Sequence, residues 1–366
     1  MNLQKKEVHS MKKYTAILSM ILAVCLLAGC AGTTVVYYSD CTCPAGSQIQ
    51  TPATEAPETE PPVVAEGSVK TGMAVITTAK NTEAEDGSVI EYDVTVAAVL
   101  VDDKGVIVDC VIDSIGTSLA FGADGVITTD LAAAIQTKTE LGDAYGMKAY
   151  AGAKYEWYEQ AQALADYAVG KTVEELRTGA CNESGKAADA DLASTATIYL
   201  GGYVAAIEAA AANAQHLGAQ AGDELKIATL CSLADSKSAE GENAGNAQLN
   251  VDVTAITMNG DVITSCAIDS VQAKVAFGAG AAIEIPASFA TKNELGEAYG
   301  MKAWGGATYE WNEQAANFAA YVTGKTAAEV AGIAIDETTK PTDADLSASV
   351  TISIGGFLAL IAKAAQ

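Results

Sequence analysis

The sequence predicts an α+β protein: two tandem copies of one domain, each with an N-terminal antiparallel sheet followed by helices. Three observations carry this. Thr137–Thr172 and Thr291–Thr326 align without a gap and are about two-thirds identical, which makes them one unit written twice. The first third of each copy alternates apolar and polar residues, the period of a half-buried strand. The remainder carries apolar residues at helical spacing. Strands first and helices after is the pattern of an α+β domain.

Ahead of the repeats, residues 1–29 read as a secretory leader. Lys12 and Lys13 form a basic start, with Met11 a better initiator than Met1. Tyr14 to Leu27 is an apolar stretch short for a bilayer span, and Leu27-Ala28-Gly29-Cys30 resembles a bacterial lipobox, which implies cleavage before Cys30 and lipidation of its sulfur. Residues 30–69 then read as a tether. Their Pro/Thr/Glu-rich centre, Thr51 to Pro62, has too little apolar surface to bury and is expected to be extended. Cys41 and Cys43 stand at its base, where a strained disulfide, a metal or plain exposed thiols are all open readings.

The repeats are expected over residues 70–217 and 218–366, with the boundary near Gln215 to Asp223. Val106, Val108, Cys110 and Ile112 alternate onto one strand face, as do Val262, Thr264, Cys266 and Ile268. Asp102-Asp103-Lys104-Gly105 and Asn259-Gly260-Asp261 precede them as hairpin turns. A helix follows in each copy: Trp157, Ala161, Leu164 and Ala168 share one face, as do Trp311, Ala315, Phe318 and Val322. Gly170 and Gly324 cap these helices. Thr172-Val173-Glu174-Glu175 and Thr326-Ala327-Ala328-Glu329 are capping boxes opening the next. A last helix is expected at roughly 197–213 and 351–365.

Composition removes several function classes. The formal net charge of -25 repels nucleic acid and anionic membrane surfaces, so no nucleic-acid partner is expected. Beyond the leader only His216 remains, in the segment between repeats. That excludes a Ser-His-Asp or Cys-His site in both copies and any His-based metal site, and no phosphate-cradling Gly-Lys-Ser/Thr loop occurs. Cys110 and Cys266 correspond and fall on an apolar strand face, which reads as buried thiols.

The remaining motif lies before the last helix: Asp191-Leu192-Ala193-Ser194-Thr195-Ala196-Thr197, and Asp345-Leu346-Ser347-Ala348-Ser349-Val350-Thr351. It resembles the Asp-x-x-Ser/Thr-Gly-Ala-Thr motif of FMN-binding domains. Members include the C subunit of the sodium-pumping NADH:quinone reductase, the Rnf G subunit and tandem-domain surface flavolipoproteins. The motif Gly is Thr195 and Ser349 here, and the second copy also replaces Ser by Ala348 and Ala by Val350. The resemblance implies FMN joined covalently through its phosphate to Thr197 and Thr351, with Asp191, Asp345 and Ser194 as motif positions. A phosphodiester at a helix N-terminus would also meet unpaired N–H groups. Asp with Ser or Thr before a helix is equally ordinary N-capping.

The best-kept block runs from Tyr145-Gly146-Met147-Lys148 through Tyr155-Glu156-Trp157 to Glu159-Gln160, matched by Tyr299-Gly300-Met301-Lys302 through Tyr309-Glu310-Trp311 to Glu313-Gln314. The Trp pair heads a helix stripe and reads as core. Tyr145, Lys148, Tyr155 and Glu156 fall off that stripe, so Tyr145, Tyr299, Lys148 and Lys302 are the candidate cofactor-binding positions, with no catalytic residue and no metal ligand. The function expected is an electron relay on the outer face of a bacterial membrane, anchored in the bilayer through acylated Cys30, rather than a stand-alone enzyme. Its partners would be a flavin transferase and a membrane quinone or NADH dehydrogenase as electron donor. The alternative is a cofactor-free surface module that binds a ligand or partner.

Overall fold

A computed structural model describes residues 67–278 and 283–366. The leader, Cys30, the Cys41/Cys43 pair and the Pro/Thr/Glu-rich stretch lie outside the described residues.

Each copy opens with a meander. Strands β1 (Lys70–Ala84), β2 (Gly87–Val101) and β3 (Ile107–Gly122) form one antiparallel sheet in that order; β4 (Glu224–Ser232), β5 (Gly245–Asn259) and β6 (Val262–Phe277) form the other. The turns are those expected. Gly105 takes φ +81° while Asp102 Oδ1 accepts the N–H groups of Lys104 and Val106, and Gly260 takes φ +62°.

The alternation expected from Val106 to Ile112 is broken, and this is a correction. Leu100 pairs with Asp109 but Val101 pairs with Ile107, so Val108 is the extra residue of a β-bulge. Val108 is 36% exposed, while Ile107 joins Cys110 and Ile112 on the buried face. Thr264 is the extra residue of the matching bulge in β6.

The three expected helices of each copy follow in order, with short ones between them that the sequence did not single out. The first copy has α1 (Lys138–Leu141), a 3-10 turn (Gly142–Tyr145), α2 (Met147–Ala151), α3 (Trp157–Ala168), α4 (Val173–Gly179), α5 (Ala190–Thr195) and α6 (Gly201–Ala212). The second repeats this as α7 (Lys292–Leu295), a 3-10 turn (Gly296–Tyr299), α8 (Met301–Gly305), α9 (Trp311–Val322), α10 (Ala327–Ala331), α11 (Ala344–Ser347) and α12 (Gly355–Ala364). Both capping boxes form, with Thr172 and Thr326 hydroxyls accepting the Glu175 and Glu329 N–H groups. Gly170 and Gly324 turn the chain out of α3 and α9 at φ +82° and +86°.

Each sheet has two buried faces. One packs on its own helices: Val99, Ile107, Cys110, Leu164, Leu200 and Ile207 in the first copy, Ile256, Ile263, Cys266, Phe318, Leu360 and Ile361 in the second. The other faces meet each other. Ile90, Tyr92, Val94 and Leu119 share one apolar cluster with Leu249, Val251, Val271 and Val275. The two copies are therefore layered helix, sheet, sheet, helix around a common core. Strand edges also meet: the Thr71 hydroxyl on β1 lies 2.8 Å from that of Ser265 on β6.

Candidate functional site

The expected final helices start later than their motif suggested. They begin at Gly201 and Gly355, not at Thr197 and Thr351. Each Thr instead sits in the loop after α5 or α11. Leu200, the residue before α6, is held back by its N–H to the Gly185 carbonyl at 2.7 Å.

What positions Thr197 is a residue the motif does not contain. Gln160 on α3 is fully buried. Its Oε1 accepts the Thr197 N–H at 2.7 Å, the Thr197 hydroxyl at 3.1 Å and the Ile198 N–H at 3.1 Å. Its Nε2 donates to the Tyr155 carbonyl at 3.0 Å. The second copy repeats every bond: Gln314 Oε1 accepts from Thr351 N–H, Thr351 hydroxyl and Ile352 N–H at 2.8, 3.2 and 3.2 Å. The N–H groups beside each Thr are thus already satisfied, so the expected phosphate cradle at a helix N-terminus is not formed by them. The Thr side chains themselves remain exposed.

Thr197 stands at the rim of an open cleft of about 420 Å³, lined also by Lys138, Tyr145, Trp157, Lys186, Tyr199 and Tyr203. That volume lies within the range of small-molecule sites, roughly 300–1,000 Å³. Aromatic rings and cations alternate around it. Lys138 Nζ lies 5.6 Å from the Tyr145 ring centre and 5.4 Å from that of Trp157. Lys186 Nζ lies 4.0 Å from the Tyr199 ring centre and donates to the Thr197 carbonyl at 2.5 Å. Trp157 Nε1 donates to the Tyr203 hydroxyl at 3.0 Å, and burial raises the Tyr203 pKa.

The second site keeps part of this. Lys292 faces Tyr299 and Trp311 at 5.3 and 4.7 Å, and burial pulls its ammonium pKa down. Ser353 and Phe357 stand where the first copy has Tyr199 and Tyr203. Thr339 replaces Gly185, in the left-handed region at φ +59°, with its hydroxyl bonded to that of Ser353.

The other expected positions separate. Tyr145 joins Thr197 at the cleft. Lys148 is ion-paired to Glu159 at 2.6 Å, and Lys302 to Glu313 at 2.8 Å, which raises both lysine pKa values. Glu156 is not free for a ligand: buried, it accepts the Met147 and Lys148 N–H groups at 2.8 and 2.9 Å and so caps α2. Asp191, Asp345 and Ser194 lie exposed on α5 and α11. The caps there are the neighbouring Asp189 and Asp343, which accept N–H groups of Asp191/Leu192 and Asp345/Leu346. The Ser194 hydroxyl donates to the Asp191 carbonyl at 2.7 Å. Residues the sequence did not single out are Gln160, Gln314, Lys138, Lys186, Tyr199 and Tyr203. Gln160 and Gln314 lay in the best-kept block, the one signal available.

The thiols are as expected. Cys110 and Cys266 are buried, and burial pushes both up to about 12. Among the described residues no group of His, Cys, Asp and Glu is arranged to hold a metal ion, and no helix is long and apolar enough to cross a membrane. No protein-family model matches the chain, and no curated protein or solved structure matches it.

Proposed function

We propose that this chain is a membrane-anchored extracellular flavoprotein that relays electrons through FMN attached to Thr197, with Thr351 as a second, weaker attachment point. The observation that carries the reading is the exposed Thr197 hydroxyl, held by buried Gln160 at the rim of a cleft lined with aromatic rings and two lysines. Tyr145, Tyr199 and Tyr203 offer flat surfaces against which a fused ring system can stack. Lys138 and Lys186 supply positive charge for a phosphate, in a chain otherwise strongly acidic. The bound flavin would supply the redox chemistry, and the protein its position and surroundings.

Attachment needs a partner. The Thr197 oxygen would attack the FMN phosphorus of FAD, the bond from that phosphorus to the bridging oxygen would break, and AMP would leave. The Thr197 hydroxyl donates to Gln160 Oε1, and a carboxamide is not a base that could take its proton. A flavin transferase would supply that base. Anchoring through Cys30 belongs to the same reading and places the domains outside the membrane, near a quinone- or NADH-linked donor.

The rival is a cofactor-free surface module. What favours it is the second copy, where Ser353 and Phe357 remove the two tyrosines that flank the first site. Co-expression with a flavin transferase, followed by intact mass and in-gel flavin fluorescence under denaturing conditions, separates the two. An FMN adduct lost in Thr197→Ala supports the relay. An unmodified, colourless protein removes it and leaves the binding module.

A further inference from the structure

The two copies meet along two seams, and the seams are not filled alike. Where β4 meets β3, Lys363 of α12 reaches across the seam. Its Nζ pairs with Glu140 of α1 and donates to the Thr229 carbonyl at 2.6 Å. Glu140 uses its other oxygen to accept the Thr137 N–H at 2.9 Å, as the capping residue of α1.

Where β1 meets β6, the corresponding residues surround an open cavity of about 690 Å³. The counterpart of Lys363 is Ala209, and the counterparts of Tyr158, Gln162 and Asp166 are Asn312, Ala316 and Ala320. All four truncated positions line the cavity. The acceptors are retained. Glu294, counterpart of Glu140, caps α7 by accepting the Thr291 N–H at 2.8 Å. Among the described residues no cation stands against its other oxygen. Val75, counterpart of Thr229, lines the wall, and the buried carboxylate of Asp269 lies in the same cavity. The Asn312 side-chain oxygen is buried without a hydrogen-bond partner.

One seam therefore shows how the other is completed: an ammonium on an alkyl stem, bonded to the capping carboxylate. A lysine carries that ammonium on a flexible stem of about four carbons. We propose that the β1–β6 cavity binds a small primary alkylamine, whose ammonium takes the place against Glu294 that Lys363 Nζ holds against Glu140. The methylene chain lies along Met73, Ile76, Ala209 and Ala316, which are apolar. The site is separate from Thr197 and Thr351, so it stands whether or not flavin is attached.

Titration calorimetry on the full-length protein in detergent, with n-pentylamine as probe and 1-pentanol as its uncharged counterpart, tests this. The expected result is saturable binding of one pentylammonium per chain, with pentanol at least about tenfold weaker, since a charge-assisted bond is lost. Ala209→Lys returns the missing side chain and abolishes binding. Glu294→Gln keeps a carbonyl for the Thr291 N–H and weakens the amine at least about tenfold by the same argument. Equal binding of amine and alcohol, no saturable amine binding, or unchanged affinity in Glu294→Gln overturns the proposal.

Discussion

Phe121 and Phe277, the same position in the two copies, stack on each other with ring centres 3.9 Å apart and planes 17° from parallel. Equivalent residues touch only where an approximate two-fold axis passes, so this stack marks the axis relating the copies. Gly245 lies so close to the Phe277 ring that a Cβ there would overlap it. Phe121→Ala and Phe277→Ala are each expected to destabilise by roughly 3–5 kcal/mol. The double variant falls short of the sum, because both remove one shared contact. Denaturant unfolding of the three variants measures this.

Gln160 satisfies three donors of the Thr197 loop with one oxygen. Gln160→Leu leaves the part-buried Thr197 and Ile198 N–H groups without this acceptor and is expected to cost about 1–3 kcal/mol. If FMN is carried at Thr197, its loading also falls, while Thr351, held by Gln314, is unaffected. Peptide mass mapping reads the two positions separately.

Lys186 donates to the Thr197 carbonyl, and the second copy lacks the tyrosine on which it rests. Lys186→Gln is expected to reduce flavin occupancy at Thr197 and leave Thr351 unchanged. Tyr199→Ser, which copies the second site into the first, lowers Thr197 occupancy toward that of Thr351. Equal occupancy of both threonines in the parent protein counts against the stacking role assigned to Tyr199 and Tyr203.

Burial raises the Asp269 carboxyl to about 6, and it raises Asp113 in the same direction. A raised carboxyl pKa means the folded state binds the proton more tightly than the unfolded chain. Its contribution is present below the unfolded pKa near 4 and is lost as pH rises through about 6. Relative to Asp269→Asn, the parent protein is expected to lose on the order of 2–3 kcal/mol between pH 4 and 7. Unfolding curves at several pH values show whether the difference grows in that direction.

Gly185 takes φ +73° and its carbonyl accepts the N–H of Leu200, just before α6. Gly185→Ala is expected to destabilise by about 1–2 kcal/mol, the cost of a side chain in the left-handed region. The second copy bears that cost at Thr339, where the hydroxyl contact to Ser353 offsets part of it. Thermal unfolding of Gly185→Ala gives the magnitude.

Features that depend on neighbours along the chain can be read from the residues alone. The gap-free repeat, the hairpin turns at Gly105 and Gly260, the capping boxes at Thr172 and Thr326, and the stripes headed by Trp157 and Trp311 were all legible, because short-range sterics and periodicity govern them. Long-range contacts set the rest. Val108 lies off the face its alternation predicts, since a bulge is set by cross-strand register, not by the strand's own alternation. Thr197 lies before α6 because Gln160, far away in sequence, claims the N–H groups that a helix start would leave open. That the copies share a core, and that one seam is filled by Lys363 while the other opens beside Ala209, follows from which faces meet. Such contacts join residues more than a hundred positions apart, and no local pattern encodes them.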